Sequence, residues 1–256
     1  MRYSIFFVVV LCACSGCGGG TSSAQFAKLR VIFGSATLPY GLTVIIGGTT
    51  VSTTANTNSS TVPSPGQPCT PSRLTATNNS VCKIDYLTVQ SGGVALTVEA
   101  SGSSTNLVPS QFQSLNLSPN TQNTFVLMGP EIGYLFLDDS TPSSGSVKLR
   151  IANADPSGIG TLSAWVNSND SNTGSPTISG VTLGSASSYV IVPPGTYFVN
   201  FNVGCGSPSG SVSSCVEAGP VPFAANQNVT VYVFSNQREA SAPSLAIQAP
   251  FVVADN

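Results

Sequence analysis

The residues whose types support catalysis are few and widely spaced in this chain. Ser80-Val-Cys-Lys83 has the Ser-x-x-Lys spacing with which a lysine activates a serine nucleophile. That chemistry needs the serine at the start of a helix. Here the serine ends a loop-like stretch and no helical pattern follows it. A chance match in a serine-rich chain explains the tetrapeptide better, so no nucleophile is predicted.

Asp138 and Asp139 form the only pair of adjacent acidic residues. Hydrolysis of a glycosidic bond needs two carboxylates facing each other across a cleft, and no such pair is indicated. The segment that follows, Ser140-Thr-Pro-Ser-Ser-Gly145, is typical of a solvated linker; a calcium site shared with loop oxygens is the alternative. The absence of histidine excludes Ser-His-Asp and Cys-His catalysis and removes the commonest zinc ligand. The sequence predicts neither a catalytic residue, a metal nor a cofactor.

The lone tryptophan is the most suggestive candidate for ligand binding. Alternation along Leu162-Ser-Ala-Trp-Val166 places Trp165 on the face opposite the apolar residues, with polar neighbours. An exposed indole there is a platform on which a sugar ring stacks, and Tyr189 and Tyr197 are candidates to extend it. The alternative is that a loop or another part of the protein covers this face, and that the two tyrosines brace the fold.

Composition favours an exported protein. Charged residues make up 7% of the 256 residues, far below the usual share, and the net charge is −2. The basic residues are scattered, with no run that tracks phosphates, so nucleic acid is not a predicted partner.

The N-terminus predicts a secretory signal that ends at a lipid-modified cysteine. A basic start and the apolar run Ile5–Leu11 precede small residues, and the run is too short to span a bilayer. The small residues ending at cysteine resemble the lipobox of bacterial lipoproteins. Cys17 is favoured because of its small neighbours and the Gly-Gly-Gly behind it; Cys14, with Leu11 three residues before it, is the alternative. The predicted location is the cell envelope, with a lipid anchor, in the outer membrane if the host has one.

Four further cysteines predict two disulfides in an oxidising compartment, with three possible connectivities. Proximity in sequence favours Cys69–Cys82 and Cys205–Cys215.

Short runs of β-branched and aromatic residues between turn residues predict an all-β chain. The ten predicted strands are 27–33, 42–46, 86–89, 94–99, 124–128, 147–152, 162–166, 189–192, 196–203 and 229–234.

These strands fall into two matching sets. Lys28-Leu-Arg-Val31 matches Lys148-Leu-Arg-Ile151, and the strands beginning at Leu42 and Leu162 follow at the same offset. Tyr86-Leu-Thr-Val-Gln-Ser-Gly92 then matches Tyr189-Val-Ile-Val-Pro-Pro-Gly195, which predicts a tight turn between two strands. Each set closes with an Asn-rich turn and an apolar strand. The pattern predicts two tandem antiparallel β-sandwiches of immunoglobulin or transthyretin type.

The resulting domain organisation has six segments. They are a signal peptide 1–17, a tether 18–25, a first repeat 26–137 with a disulfide-pinned insertion over 51–82, a linker 138–146, a second repeat 147–237 and a C-terminal tail 238–256. The tail contains Phe251-Val-Val253, and the sequence leaves open whether it adds a strand or hangs free.

The Lys-Leu-Arg opening and the Tyr-Val-x-Val-Pro-x-Gly-x-Tyr motif resemble the domain of unknown function family 4397, over about residues 26–237. The second repeat fits this pattern well. The first departs from it at Gln90-Ser91 and in its insertion. The resemblance implies a β-sandwich and an envelope address, and it implies no activity.

The predicted function is a non-catalytic envelope lipoprotein that binds a surface polymer, such as a glycan, or an envelope protein. The alternative is a purely structural spacer or assembly component, and a hydrolase is the remote one.

Overall fold

The computed structural model describes most of the two repeats. The residues described are 24–34, 38, 41–54, 82–83, 85–139, 141–156, 160–171, 173–202, 217–236 and 247–255. Within them the chain is all-β, and its only helical element is a short 3-10 turn over Ser110–Phe112. The predicted fold class is confirmed.

Nine strands precede the linker. They are β1 (Phe26–Phe33), β2 (Leu42–Ile46), β3 (Thr49–Thr54), β4 (Cys82–Lys83), β5 (Leu87–Gln90), β6 (Gly92–Ala100), β7 (Ser114–Leu117), β8 (Gln122–Gly129) and β9 (Ile132–Asp138).

Eight strands follow the linker. They are β10 (Val147–Asn153), β11 (Leu162–Asn167), β12 (Ile178–Val181), β13 (Val190–Val192), β14 (Gly195–Phe201), β15 (Glu217–Phe223), β16 (Asn228–Asn236) and β17 (Ile247–Ala254).

Each repeat is a sandwich of two sheets with the same strand order. The first repeat has an inner sheet β5-β1-β8-β9 and an outer sheet β3-β2-β6-β7. The second has an inner sheet β13-β10-β16-β17, to which β4 adds an edge, and an outer sheet β12-β11-β14-β15. The tandem repeat predicted from the sequence is therefore present strand by strand. The inner sheets are mixed rather than purely antiparallel, because β1 runs parallel to β8 and β10 runs parallel to β16, whereas the outer sheets are antiparallel.

The first strand of each repeat is buried on both faces. In β1, Leu29 and Val31 point into the core of the first sandwich. Arg30 and Ile32 point the other way and are equally buried. The corresponding strand β10 shows the same pattern, since Ile151 lies in the second core. Two-sided burial means that the inner sheets face each other.

A third apolar cluster joins the two sandwiches. It is built from inner-sheet strands or residues that directly follow them: Ile32, Val126, Met128, Phe136, Ala152, Ala154, Tyr232, Phe234 and Val253. The rings of Phe136 and Tyr232 meet edge-on, with centroids 5.6 Å apart, across the boundary between the repeats.

The turns predicted from the sequence carry the chain between sheets rather than around a hairpin. Ser91 separates β5 from β6, and Pro193-Pro194 separates β13 from β14. In both repeats the first of these strands lies in the inner sheet and the second in the outer sheet. Gly92 has a φ of +97°, which a side chain would strain.

The structure extends both repeats beyond their predicted ends. The apolar strands predicted to close them are β8 and β16, but each is followed by an antiparallel partner, β9 or β17. The tail therefore adds a strand to the second repeat. Asp138, assigned to the linker from the sequence, is the last residue of β9. Residues 51–54, assigned to the insertion, belong to β3.

Candidate functional site

Two buried arginines occupy equivalent positions in the two inner sheets. Arg30 lies opposite Thr124 in the β1–β8 pair, and Arg150 lies opposite Thr230 in the β10–β16 pair. Each guanidinium donates from Nε to the threonine hydroxyl of its own repeat, over 2.7 Å and 2.8 Å. The parallel pairing of first and penultimate strands thus fixes each arginine at the face that meets the other repeat.

Each arginine then reaches across to the carboxylate of the other repeat. Arg150 binds Asp138 and donates to the carbonyl of Leu137 over 2.6 Å. Arg30 binds Asp255 and donates to the carbonyl of Ala254 over 2.8 Å. These exchanges are reciprocal and hold two positive and two negative charges in balance.

Hydroxyl groups of each repeat donate hydrogen bonds to the aspartate carboxylate of the same repeat. Asp138 Oδ2 accepts from Thr124 over 2.5 Å and from Tyr86 over 2.7 Å. Asp255 Oδ2 accepts in the same way from Thr230 over 2.5 Å and from Tyr189 over 2.9 Å.

The two tyrosine rings also cover the guanidinium groups. The Arg30 Cζ lies 4.5 Å from the ring centroid of Tyr86, and the Arg150 Cζ lies 4.7 Å from that of Tyr189. A desolvated cation over an aromatic face is attracted to it. Charge, hydrogen bonding and stacking therefore all contribute to one pseudo-symmetric network, called here the reciprocal network: Arg30, Tyr86, Thr124, Asp138, Arg150, Tyr189, Thr230 and Asp255.

Burial sets the electrostatics of this network. Burial is the largest effect on Asp138 and raises the pKa of its carboxyl, and the Arg30 guanidinium partly offsets that rise. Burial alone would lower the pKa of Arg30, but the surrounding Tyr232, Asp255 and Asp138 raise it above its ordinary value. The guanidinium therefore stays charged.

Burial also raises the pKa of Tyr86 and Tyr189 above the ordinary tyrosine value. It raises the pKa of Tyr232 to about 12.

The chemistry open to the reciprocal network is structural. The side chains of Asp138 and Asp255 are fully buried, and the donors around them belong to the protein. Replacing such a charged set by apolar residues often costs little, whereas removing one member leaves an uncompensated charge. The network therefore favours one relative orientation of the sandwiches over others.

Asp138 and Asp139, predicted as one solvated pair, have separate roles. Asp138 is buried because β9 continues through it and turns its side chain toward Arg150. Asp139 is partly exposed, and its Oδ2 accepts from Lys148 Nζ over 2.7 Å. Burial opposes the ionised form of Asp139, but the hydrogen bonds from Lys148 and Thr141 lower the pKa of its carboxyl. The sequence could not separate them, because alternation decides the face only once the strand is known.

Trp165 lies on the outer sheet of the second repeat, on the face predicted from the sequence. Leu162, Ala164 and Val166 are buried, and Trp165 is half-buried on the opposite side. Its indole N–H donates to the carbonyl of Gly174 over 2.9 Å, so the segment between β11 and β12 occupies the ring's donor edge.

The three predicted platform residues do not come together. Tyr189 lies in the reciprocal network, on the inner side of the second repeat. Tyr197 packs against the core, stacks on Phe223 at 5.6 Å, and donates its hydroxyl to the carbonyl of Pro193 over 2.9 Å. Trp165 alone of the three is on the outer face. Alternation cannot tell the two faces of a strand apart when both are buried or both partly polar.

Other predicted sites fall outside what the structure describes. Ser80 and the lipidation candidates Cys14 and Cys17 lie beyond the described residues, as do Cys69, Cys205 and Cys215. For Cys82 only the backbone is described, and it pairs with Val253.

Clefts open on the described surface. One of about 270 Å³ lies beside β12; half of its lining residues carry hydroxyl groups and the others are apolar or glycine, the first set being Thr177, Ser179, Ser185, Ser187 and Ser188. A second, of about 250 Å³, lies at the start of β1 and is called here the Lys28 cleft; its lining includes Phe26, Lys28, Asn120, Thr121 and Gln122.

The described residues contain neither a metal-binding cluster nor a membrane-spanning helix. In the parts of the chain that are described, no group of three or more His, Cys, Asp or Glu side chains is placed to hold a metal ion. No helix in those same parts is long and apolar enough to cross a bilayer.

The arginines of the reciprocal network were missed by sequence reasoning, which noted them only as scattered basic residues. A signal was available: in Lys-Leu-Arg-Val/Ile the arginine stands between two apolar residues inside a strand. Its recurrence in both repeats indicates a buried cation that needs a partner in each.

Comparison of the chain with protein-family models and with curated proteins finds no match. The resemblance to the domain of unknown function family 4397 therefore stays a prediction.

Proposed function

We propose that this protein is a non-catalytic, lipid-anchored module of the cell envelope that binds a surface polymer or an envelope protein. One observation carries the proposal. The two buried arginines are closed into the reciprocal network with Asp138, Asp255, Tyr86 and Tyr189, where these side chains bind one another. Charged residues make up only 7% of the chain, so few charges are left for its surface.

The outer surface of the second repeat supports binding of a neutral polymer. Trp165 presents a half-exposed ring among polar side chains, and five hydroxyl-bearing residues contribute to the lining of a separate cleft. Hydroxyl-lined surfaces with an aromatic ring suit sugars, because they offer hydrogen bonds without the cost of desolvating a charge.

The test is co-sedimentation of the chain from Gly18 onward with isolated envelope fragments, before and after the fragments are treated with protease. We expect retention. Retention that survives protease indicates a polymer, and retention that is lost indicates an envelope protein. Trp165→Ala is the matched variant for the polymer case. Absence of retention on both preparations would contradict the proposal.

The lipid anchor is tested by mass spectrometry of the N-terminal peptide from cells that express the chain. We expect two acyl chains on Cys17, lost in Cys17→Ser and kept in Cys14→Ser. Two chains are what stable anchoring requires. An unmodified N-terminus in the unsubstituted chain would contradict the anchor.

The reciprocal network favours a second candidate, a structural spacer. Two sandwiches joined by buried charge pairs and a shared apolar cluster hold a fixed relative orientation. A spacer predicts self-association in analytical ultracentrifugation and insensitivity to Trp165→Ala.

A further inference from the structure

The second repeat holds a segment of its own chain at the start of β10. Lys148 Nζ donates to Asp139 Oδ2 over 2.7 Å and to the carbonyl of Thr141 over 2.8 Å. The amide of Asn228 donates to the carbonyls of Asp139 and Thr141, over 2.6 Å and 3.1 Å. One lysine and one side-chain amide thus bind Asp139 and Thr141 through one carboxylate and two backbone carbonyls, and the Thr141 N–H also donates to Asp139 Oδ1 over 2.8 Å.

The first repeat reproduces this arrangement at the Lys28 cleft. Lys28 lies opposite Gln122, as Lys148 lies opposite Asn228. The first repeat therefore also has a lysine opposite a side-chain amide, and the glutamine that carries this amide is one methylene longer than the asparagine of the second repeat.

The turns beside the two lysines also match. Asn120 has a φ of 60° and donates its N–H to the carbonyl of Phe26 over 2.8 Å. Asn226 has a φ of 67° and donates in the same way to the carbonyl of Ser146, over 2.8 Å. The backbone that supports the lysine and the amide is therefore equivalent in both repeats.

The Lys28 cleft has groups that suit a peptide. Lys28 is exposed and forms no ion pair with any described residue. Gln122 Oε1 is buried and has no hydrogen-bond partner among the described residues, so it is an acceptor for a peptide N–H. Phe26 is 51% exposed at the rim and offers an apolar contact.

The occupant in the second repeat comes from the chain that leaves β9. The matching position after Asp255 is Asn256, which lies outside the described residues. Three of the described aspartates, Asp138, Asp139 and Asp255, already bind Arg150, Lys148 and Arg30. Charge complementarity therefore points to an acidic segment of another polypeptide.

We propose that the Lys28 cleft binds a peptide bearing an aspartate, in the way that Lys148 and Asn228 bind Asp139 and Thr141. The peptide carboxylate accepts from Lys28 Nζ, its carbonyls accept from the Gln122 amide, and one of its N–H groups donates to Gln122 Oε1. This inference rests on the proposed function, and it selects an envelope protein with an exposed acidic segment as the partner.

The experiment titrates a blocked peptide Asp-Ser-Thr-Pro-Ser-Ser, a copy of residues 139–144, into the purified full chain and follows backbone amide shifts by NMR. We expect saturable shifts at the Lys28 cleft with a Kd on the order of 1 mM, since a short free peptide loses much freedom on binding. Lys28→Met should weaken binding roughly tenfold or more, because a charge-assisted hydrogen bond is lost. Lys28→Arg keeps the charge and should keep binding, and a peptide with asparagine in place of aspartate should bind as weakly as Lys28→Met protein does.

Three results would overturn the inference. They are no shifts at the Lys28 cleft, equal binding to the Lys28→Met protein, and binding that appears only after Asn256 is removed. The last would assign the cleft to the chain's own end. If Lys28→Met protein is retained on envelope fragments as well as the unsubstituted protein, the Lys28 cleft is not the site that binds them, and the proposed function still stands. Loss of retention by every form of the protein would remove the function itself, whatever the peptide does.

Discussion

The two repeats agree where they face each other and differ where their first inner strands begin. Arg30 and Arg150 each contact an equivalent threonine and tyrosine of their own repeat and an equivalent aspartate of the other repeat, over similar distances. Lys28 and Lys148, two residues earlier, differ. Lys148 binds the linker, whereas Lys28 is exposed at a cleft. The buried positions are constrained because an unpaired charge there is costly, and an exposed lysine at the margin has no such constraint. The margin is therefore where the two repeats can differ in function.

The largest expected effect tests the shared part of this comparison. Asp138→Asn leaves the buried Arg150 without its carboxylate, and we expect the free energy of unfolding to fall by about 3–5 kcal/mol. Asp255→Asn should cost a similar amount, because the network is reciprocal. Urea unfolding followed by Trp165 fluorescence measures both. Glu131→Gln, at an exposed carboxylate, is the control and should change stability by no more than about 0.5 kcal/mol. A loss below about 1 kcal/mol in both aspartate variants would contradict the reciprocal network.

A second test uses a small residue between the repeats. A Cβ on Gly34 would overlap the sulphur of Met128 and lie 2.7 Å from Phe234 Cδ1 in the other repeat. Gly34→Ala should therefore reduce the free energy of unfolding by about 1–3 kcal/mol through overpacking. The equivalent position in the second repeat is Ala154, which is buried without such a clash. Equal stability of Gly34→Ala and unsubstituted protein would mean that the sandwiches pack less closely than described.

The tyrosines predict a loss of stability at alkaline pH. The folded pKa values of Tyr86, Tyr189 and Tyr232 are raised, so the folded state keeps protons that the unfolded state releases above about pH 10. The stabilisation is complete below that pH. Above it, stability falls by about 1.4 kcal/mol per pH unit for each tyrosine.

The measurement is urea unfolding at stepwise pH values between about 8 and 11, in the range where tyrosine ionises. Tyr86→Phe should make the free energy of unfolding fall less steeply with pH, by the contribution of one tyrosine. The tyrosinate absorbance of the buried tyrosines should rise together with unfolding. An unchanged slope in Tyr86→Phe would show that this tyrosine ionises alike in both states.

The smallest expected effect separates the two lysines. Lys148→Met should lower the free energy of unfolding by less than about 1 kcal/mol, since its pair with Asp139 is partly exposed. Lys28→Met should leave stability unchanged within about 0.5 kcal/mol. The contribution of Asp139 is present above the ordinary aspartate pKa and is lost as the pH falls through its lowered value. Identical losses in the two variants would contradict the difference between the repeats.

Much of the fold was predictable because it depends on local pattern. All ten predicted strands are present, since runs such as Leu42–Ile46 are rich in β-branched residues and alternate between buried and partly exposed positions. The strands that were missed have weaker patterns. β9 contains Gly133 and ends in an aspartate, and β15 contains two prolines. Strands of this kind form because a neighbouring strand offers a ladder of hydrogen bonds.

The candidate sites were less predictable, because they depend on which face meets which partner. Trp165 was placed on the correct face, because one side of β11 is plainly apolar. For Tyr189 the sequence left open a ligand platform or a bracing role, and the side chain lies against Arg150 between the repeats. Asp138 was taken as part of a linker, although its side chain is among the most buried of the described acidic residues.

The sequence by itself determined the all-β composition, the two repeats and the positions of most strands, because these follow from side-chain type and from periods of two residues. It also determined that each repeat carries a lysine and an arginine at fixed positions of its first strand. Only the tertiary structure decided that these arginines exchange carboxylates between repeats, that the tail closes the second sandwich, and that one lysine binds the linker while the other is exposed. Those outcomes depend on contacts between residues as far apart as Arg30 and Asp255, and nothing in a local pattern records which distant groups will meet.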